Sequence, residues 1–155
     1  MVLNLAIGQG ENSQTILNMA RFYSALATDG SAARPEIARN KQERVKIMNL
    51  TPDQLDQVRG ALVGVVEGGT ASASAIKGVQ LAGKTGTAQS GKFSPDGKEL
   101  NHAWFVGFAP ANDPKIVVAV MLEFGGHGTR SAAIASKIIA AYLKVTPIIE
   151  QMVDG

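Results

Sequence analysis

The chain has 155 residues, of which 45% are hydrophobic and 18% charged, a balance typical of one globular domain and unlike that of disordered chains. A net charge of +2 without a block of basic residues predicts no nucleic-acid partner, and the absence of cysteine excludes disulfides, thiolate metal sites and a cysteine nucleophile. The longest apolar run, residues 116–122, is shorter than the roughly twenty residues that a bilayer requires, so we expect no transmembrane segment here.

Residues 14–28 have the spacing of an amphipathic helix. We expect Ser13 to cap the start of this helix and Gly30 to cap its end. A polar stretch, residues 31–46, follows. The apolar face expected to be buried consists of Ile16, Met19, Ala20, Tyr23 and Ala27.

A second helix is predicted to begin at Thr51, because threonine, a following proline and Gln54 form a capping-box pattern. We expect this helix to stop near the glycine pair at 68–69, with a turn or short helix over 70–75. Its expected buried stripe consists of Leu55, Val58, Leu62 and Val65.

Three strand-like runs follow, at residues 79–88, 102–109 and 115–123. Turn residues join them, P-D-G at 95–97 and P-A-N-D-P at 110–114. Short connections favour antiparallel pairing, so we predict a three-stranded antiparallel unit. The third run is apolar on both faces, which predicts a central strand covered by helices on both sides.

A glycine-rich loop at 125–128 leads to a closing helix over 130–143. The residues that this helix is expected to bury are Ile134, Ala135, Ile138 and Tyr142. The order of elements predicts an α+β fold, an antiparallel sheet flanked by helices.

Residues 78–85 match the phosphate-binding pattern G-x-x-x-x-G-K-[ST]. On this interpretation the chain is a non-catalytic nucleotide- or ligand-binding module, and Glu123 supplies the carboxylate on the Mg²⁺ side. A phosphate loop needs a buried strand before it and a helix that begins at the lysine. Residues 71–77 are a poor strand, and several glycines and a proline follow Lys84, so this interpretation is the alternative.

Residues 84–87 read K-T-G-T within the first strand-like run. Strand alternation places the hydroxyls of Thr85 and Thr87 side by side on one face. Gly86 between them lets another chain approach the backbone closely. With the adjacent Lys84, the run predicts a clamp for a carboxylate beside an edge strand.

Several motifs surround this run and occur in a fixed order. They are A-I-G-Q-G at 6–10, G-G-T-A at 68–71, A-G-K-T-G-T-A-Q at 82–89, H-A-W-F-V-G-F-A-P at 102–110 and G-G-H-G at 125–128. Together they resemble the carboxy-terminal part of the transpeptidase domain of class B penicillin-binding proteins, of the elongation-specific penicillin-binding protein 2 type. The chain departs from that pattern at 15–18, where T-I-L-N replaces T-P-L-Q, and at 132–134, where A-A-I replaces A-A-P.

The resemblance implies roles for the residues of the K-T-G-T run. Lys84 would assist proton transfer and supply positive potential for the substrate carboxylate. Thr85 and Thr87 would hydrogen-bond that carboxylate, and the Thr87 N–H would form half of the oxyanion hole. Gly86 would complete the substrate-binding strand. Lys84 and Thr87 are therefore the expected catalytic residues in this chain.

The resemblance also implies a setting. The family consists of bacterial envelope enzymes that cross-link peptidoglycan on the extracytoplasmic side of the inner membrane and are acylated by β-lactams. Their fold is related to that of serine β-lactamases. The expected ligands are a peptidoglycan stem peptide, lying along the strand edge, and β-lactams, with membrane contact only through an anchor outside this chain. We expect no cofactor and no metal, because His102 and His127 lie far apart without a carboxylate cluster at ligand spacing.

The serine that this chemistry requires is missing from its expected place. The family carries S-x-x-K well upstream of K-T-G with S-x-N between them, and residues 1–155 contain no S-x-N. The S-x-x-K that begins at Ser74 lies too close in sequence to Lys84 to face it across a cleft. We therefore expect residues 1–155 to be a single segment, the second half of a transpeptidase domain. Its last strand would then expose an apolar edge that pairs with the missing upstream half or with a second copy.

Overall fold

The computed structural model describes residues 13–37 and 43–145. The helices are α1 (Ile16–Leu26), α2 (Pro52–Glu67) and α3 (Gly128–Leu143), with a short 3-10 helix at Ser72–Ser74. The strands are β1 (Ser31–Ala33), β2 (Arg44–Lys46), β3 (Ala82–Ala88), β4 (His102–Ala109) and β5 (Ile116–Leu122). This order confirms the predicted α+β fold.

Strands β3, β4 and β5 form an antiparallel sheet in that order, which confirms the predicted three-stranded unit. Within the described ranges β4 is the middle strand and β5 is an outer one, so the described residues do not show the central position predicted for the last run. Val118 of β5 packs in a core with α3, whereas Val117 packs on the other face beside residues of α1. The last run is apolar on both faces because helices cover both faces, as predicted. A strand that is apolar on both faces can therefore lie in the middle or at the edge of a sheet.

Helix α1 begins after Thr15, whose Oγ1 accepts a hydrogen bond of 3.1 Å from the backbone N–H of Asn18. The predicted cap at Ser13 is therefore wrong by half a turn of helix. The predicted cap at Gly30 is wrong as well, because Ala27 caps the end of the helix. Gly30 lies three residues later, with a φ of 92°, and its N–H donates to the carbonyl of Ala25. Of the predicted face, Tyr23 and Ala27 are buried, Met19 and Ala20 are half-buried, and Ile16 is exposed. Burial raises the pKa of the Tyr23 hydroxyl to about 12, so it stays neutral in this core at ordinary pH.

Helix α2 has the predicted capping box, in which Thr51 and Gln54 bond reciprocally, and it ends at the predicted glycine pair. Its buried face is only partly the predicted one. Leu55 is buried, but Val58 is 36% exposed, and Val63 and Val66 take the inner positions expected of Leu62 and Val65. The buried face of the helix is therefore rotated from the predicted one and includes a charged residue, Arg59. A pattern of apolar residues alone does not predict a buried face that contains an arginine.

Arg59 joins α2 to the end of α1. Its Nε donates to the carbonyl oxygen of Leu26 at 2.7 Å, and its Nη2 donates to that of Thr28. Nη1 forms an ion pair of 3.2 Å with the exposed Asp56. The guanidinium thus satisfies carbonyl groups that the end of a helix leaves without intrahelical partners.

The polar stretch 31–46 contains the short antiparallel strands β1 and β2, which the sequence analysis did not predict. Each has three residues, and only Ala32 among them is buried. Such strands are too short and too polar for a period of two to be visible. The adjacent Asp29 accepts hydrogen bonds from Ser31, which lowers the pKa of its carboxyl.

Helix α3 turns its small residues toward the sheet. The predicted buried residues Ile134, Ile138 and Tyr142 are exposed, and of that set only Ala135 is buried. The inner face consists of Gly128, Ser131, Ala132, Ala135, Ser136, Ile139 and Ala140. Ser131 is fully buried and donates to the carbonyl of Ala103 at 2.8 Å. Close packing on the sheet therefore selects mainly small side chains. Ile139 is the large apolar residue on the inner face, and Ile134, Ile138 and Tyr142 lie outside.

The first residue of α3, Gly128, lies directly against the sheet. A Cβ built there would lie 2.7 Å from the carbonyl oxygen of Gly86, 2.8 Å from that of Trp104 and 2.9 Å from the Gly86 nitrogen. These are backbone atoms of paired strands, which cannot shift as a flexible side chain can. The helix therefore packs directly on the middle of strand β3.

We expect Arg59→Ala to lower the free energy of unfolding of this chain by roughly 1–2 kcal/mol, because it leaves the carbonyl groups of Leu26 and Thr28, at and after the end of α1, without their charged donor. Asp56→Ala is the matched control, since it removes only the exposed ion pair and is expected to cost less than about 0.5 kcal/mol. Urea unfolding followed by circular dichroism measures both. Equal losses in the two variants would show that the carbonyl contacts do not stabilise the fold.

We expect Gly128→Ala to destabilise the chain by roughly 1–3 kcal/mol, because the added methyl group overpacks against strand backbone. Gly60→Ala is its counterpart, since Gly60 lies inside α2 with no atom within 4 Å of the added Cβ. Replacing a helix-interior glycine in open space should stabilise by up to about 1 kcal/mol. The midpoints of chemical unfolding should therefore move in opposite directions, and a parallel rise would contradict the packing described for α3.

Candidate active site

The K-T-G-T run lies on strand β3, where the sequence analysis places it. Lys84 and Thr87 are exposed, and Thr85 and Gly86 are half-buried. Within the described ranges β3 is an outer strand of the sheet and pairs only with β4. One backbone edge of β3 thus remains open to an extended chain, which fits the predicted clamp beside an edge strand.

The ammonium group of Lys84 folds over its own strand. Its Nζ donates to the backbone carbonyl oxygen of Thr85 at 2.8 Å. An ammonium has three N–H donors, so this contact engages one and leaves two for a ligand or a neighbouring side chain. The positive charge consequently lies at the backbone of Thr85, on the strand that also carries Thr87.

A further hydroxyl approaches the run from outside the strand. Thr70 Oγ1 lies 2.6 Å from Thr85 Oγ1, a short hydrogen bond between residues 15 apart in sequence. Thr70 belongs to the G-G-T-A motif, and no role is predicted for it from the sequence. A threonine directly after a helix-ending glycine pair is the signal that points to it, yet nothing local in the sequence indicates its partner.

The turn after α2 fixes the position of Thr70. A Cβ at Gly69 would lie 2.8 Å from the carbonyl oxygen of Val65, so the chain passes close against the helix. Ala71 is buried, and its N–H donates to the same carbonyl at 3.1 Å. Thr70 is therefore held between two residues packed on the helix, and its side chain extends toward β3.

The far side of the run is held by backbone contacts. Gly86 pairs with Trp104 in the sheet, and a Cβ at Gly86 would lie 3.3 Å from the Trp104 Cβ. The N-terminus of α3 packs on the same two residues through Gly128. These contacts hold the strand between the two threonines.

The two histidines do not converge. His127 is the exposed residue that precedes α3, and its side chain makes no capping hydrogen bond. The Nδ1 of His102 accepts from the N–H of Phe124 at 3.2 Å, and the two rings stack with centroids 5.2 Å apart. Residues 13–37 and 43–145 contain no group of three His, Cys, Asp or Glu side chains placed to hold a metal ion.

Ser74 of the S-x-x-K pattern is 1% exposed and lies at the end of the 3-10 helix. In the part of the chain that the structure describes, its Oγ has no hydrogen-bond partner, and Lys77 is exposed at the surface. A buried hydroxyl without an adjacent base is neither accessible nor activated for acyl transfer. Its placement agrees with the expectation that Ser74 is not the nucleophile.

The nucleotide-binding alternative lacks its structural context. Lys84 and Thr85 lie in a strand, so no helix N-terminus faces a phosphate there. Gly78 lies in a turn between the bridged residues Ile76 and Val79, not at the end of a buried strand. The structure does not support a phosphate loop over residues 78–85.

The motif at residues 6–10 lies outside the described residues. No helix in the described ranges is long and apolar enough to span a membrane. The arrangement that remains is a cation, two neighbouring hydroxyls and an open strand edge, supported by Thr70. Chemically, it can bind an extended peptide or a similar ligand that ends in a carboxylate.

Residues 2–141 match the family described as the penicillin binding protein transpeptidase domain. Peptidoglycan D,D-transpeptidase PbpA of Mycolicibacterium smegmatis is 36% identical over 90% of this chain and 31% of its own length. Peptidoglycan D,D-transpeptidase MrdA of Acinetobacter baumannii is 33% identical over 91% of this chain and 24% of its own length.

The fold is similar to that of penicillin-binding protein A from M. tuberculosis, solved as an imipenem acyl-enzyme complex. The TM-score is 0.77 and the identity 30%, over 90% of this chain and 33% of that protein. The chain thus spans about a third or less of the length of the proteins it matches. The family match covers nearly the whole sequence and confirms the resemblance that the motifs indicate. The chain belongs to the penicillin-binding protein transpeptidase domain family.

Proposed function

We propose that this chain forms the substrate-binding wall of a serine D,D-transpeptidase that cross-links peptidoglycan. The observation that carries the proposal is the K-T-G-T run on an outer strand, with Lys84 and Thr87 exposed at the surface. The names of the relatives support the reaction class. The bacterial cell envelope, on the extracytoplasmic side of the inner membrane, is the proposed location of the whole protein, with the membrane anchor outside these residues.

The proposed ligands are a D-alanine-terminated stem peptide and β-lactams. Thr85 and Thr87 donate hydrogen bonds to the ligand carboxylate, and Lys84 supplies positive charge and takes part in proton transfer. The Thr87 N–H stabilises the developing oxyanion, and the peptide adds to the open edge of β3 beside Gly86. The β-lactam acyl-enzyme structure of the M. tuberculosis relative supports the second ligand class.

The proposed nucleophile is a serine outside residues 1–155. Three observations support this assignment. Ser74 is buried without a base, the sequence contains no S-x-N, and the relatives are about three to four times longer than the matched region. The chain by itself would then bind the ligand and perform no acyl transfer.

We expect Thr87→Val to slow acylation by benzylpenicillin roughly 10- to 100-fold in a protein that joins this chain to its upstream half, because a hydrogen bond to a carboxylate is lost. Intact mass measured over time gives the rate, and an unchanged melting temperature excludes misfolding. The 155-residue chain alone should form no adduct. An adduct on that chain would place the nucleophile inside it, and an unaffected Thr87→Val protein that binds ATP with Mg²⁺ would favour the nucleotide-binding alternative.

Strand β5 is the other outer strand of the sheet within the described residues, and it is apolar along its length. We propose that its free edge pairs with the upstream half of the domain or, in its absence, with a second copy. Sedimentation velocity of the chain should therefore show association that increases with concentration and decreases when the upstream half is supplied. A clean monomer at high concentration would contradict this part of the proposal.

A further inference from the structure

We propose that Thr70 is a positioning residue that orients the Thr85 hydroxyl toward the ligand carboxylate, an inference that rests on the proposed carboxylate site. The observation is the hydrogen bond of 2.6 Å between Thr70 Oγ1 and Thr85 Oγ1. Thr70 belongs to the turn after α2 and is exposed, whereas Thr85 belongs to β3 and is half-buried. The contact therefore joins two different elements at the candidate site.

The direction of this hydrogen bond follows from counting protons. Each threonine hydroxyl has one proton and two lone pairs, and a carboxylate can only accept. If Thr85 donates to a carboxylate, the proton between the two threonines must come from Thr70. The opposite arrangement would engage the Thr85 proton inside the pair and direct its lone pairs at an anion, which is repulsive.

The neighbourhood favours the first arrangement. Lys84 Nζ donates to the Thr85 carbonyl at 2.8 Å, so a cation lies beside Thr85 and attracts an anion to this position. Thr85 then accepts from Thr70 on one side and donates on the other. A hydroxyl that accepts one hydrogen bond while it donates a second is a stronger donor, because neighbouring hydrogen bonds polarise each other.

The turn geometry makes Thr70 a fixed donor. Gly69 and Ala71 are packed on α2 through the Val65 carbonyl, so the backbone at Thr70 cannot drift away from β3 without breaking that packing. The β-branched side chain of threonine also has few accessible rotamers. Thr70 therefore pre-orients Thr85 before the ligand arrives, and no reorganisation is needed during acylation.

The test is the rate of acylation of the protein that joins this chain to its upstream half, measured with benzylpenicillin and with its methyl ester. We expect Thr70→Val to slow acylation by the free acid roughly three- to tenfold, the effect of one neutral hydrogen bond, and to leave the rate with the ester unchanged. Thr70→Ser should restore the rate with the acid. Ser72→Ala is the matched control, because it removes an exposed hydroxyl from the same turn.

A second measurement separates positioning from direct contact. In a Thr85→Val background, Thr70→Val should have no further effect, since its partner is already gone. An effect that persists there would mean that Thr70 contacts the ligand itself, and equal slowing with acid and ester would mean a general structural role. Either result, or a Thr70→Val rate equal to wild type, overturns the inference and leaves the proposed function intact. A wild-type protein that is not acylated at all overturns the proposed function, and the role of Thr70 with it.

Discussion

The open backbone edge of strand β3 is the constraint on which the rest of the structure depends. An extended ligand can pair with that edge only if the strand is held firmly from its other sides. β4 pairs with it from Ala82 to Ala88, the turn after α2 reaches it through Thr70, and α3 packs against it at Gly86. In the described part of the chain, these supports contact the strand without pairing with its outer edge.

These contacts bring the backbones of neighbouring elements close together. Only small side chains fit between backbones at that distance. The buried face of helix α3 is mainly glycine, alanine and serine with Ile139, and the large residues Ile134, Ile138 and Tyr142 lie outward. A sequence pattern that assigns large apolar residues to the core therefore selects the wrong face. The capping box of α2 is predicted correctly because Thr51 and Gln54 are local partners. The rotation of α2 about its axis is not predicted, because its inner face includes Arg59, whose partners are backbone carbonyls at and after the end of α1.

In the candidate site, too, local features are predictable from the sequence and contacts between distant residues are not. The placement of Lys84, Thr85 and Thr87 on one strand follows from local alternation, and the sequence is sufficient to predict it. The contact of Thr70 with Thr85 depends on how the turn after α2 packs, so it appears only in the folded chain. The strands β1 and β2 are not predicted for another reason. Three residues are too few to show the alternation of apolar and polar residues that marks a strand.

The two outer strands of the sheet select different partners. At β3 the exposed residues are polar, Gly86 lets a chain approach, and Lys84 supplies a charge, so a small extended ligand with an anionic end fits that edge. At β5 the run is apolar, with Val117 and Val118 in cores on opposite faces. A strand that adds to β5 gains backbone hydrogen bonds and also extends both cores, which only a polypeptide with apolar side chains on both of its faces can do. The ligand binding proposed for β3 and the protein association proposed for β5 therefore rest on different chemistry at the two edges.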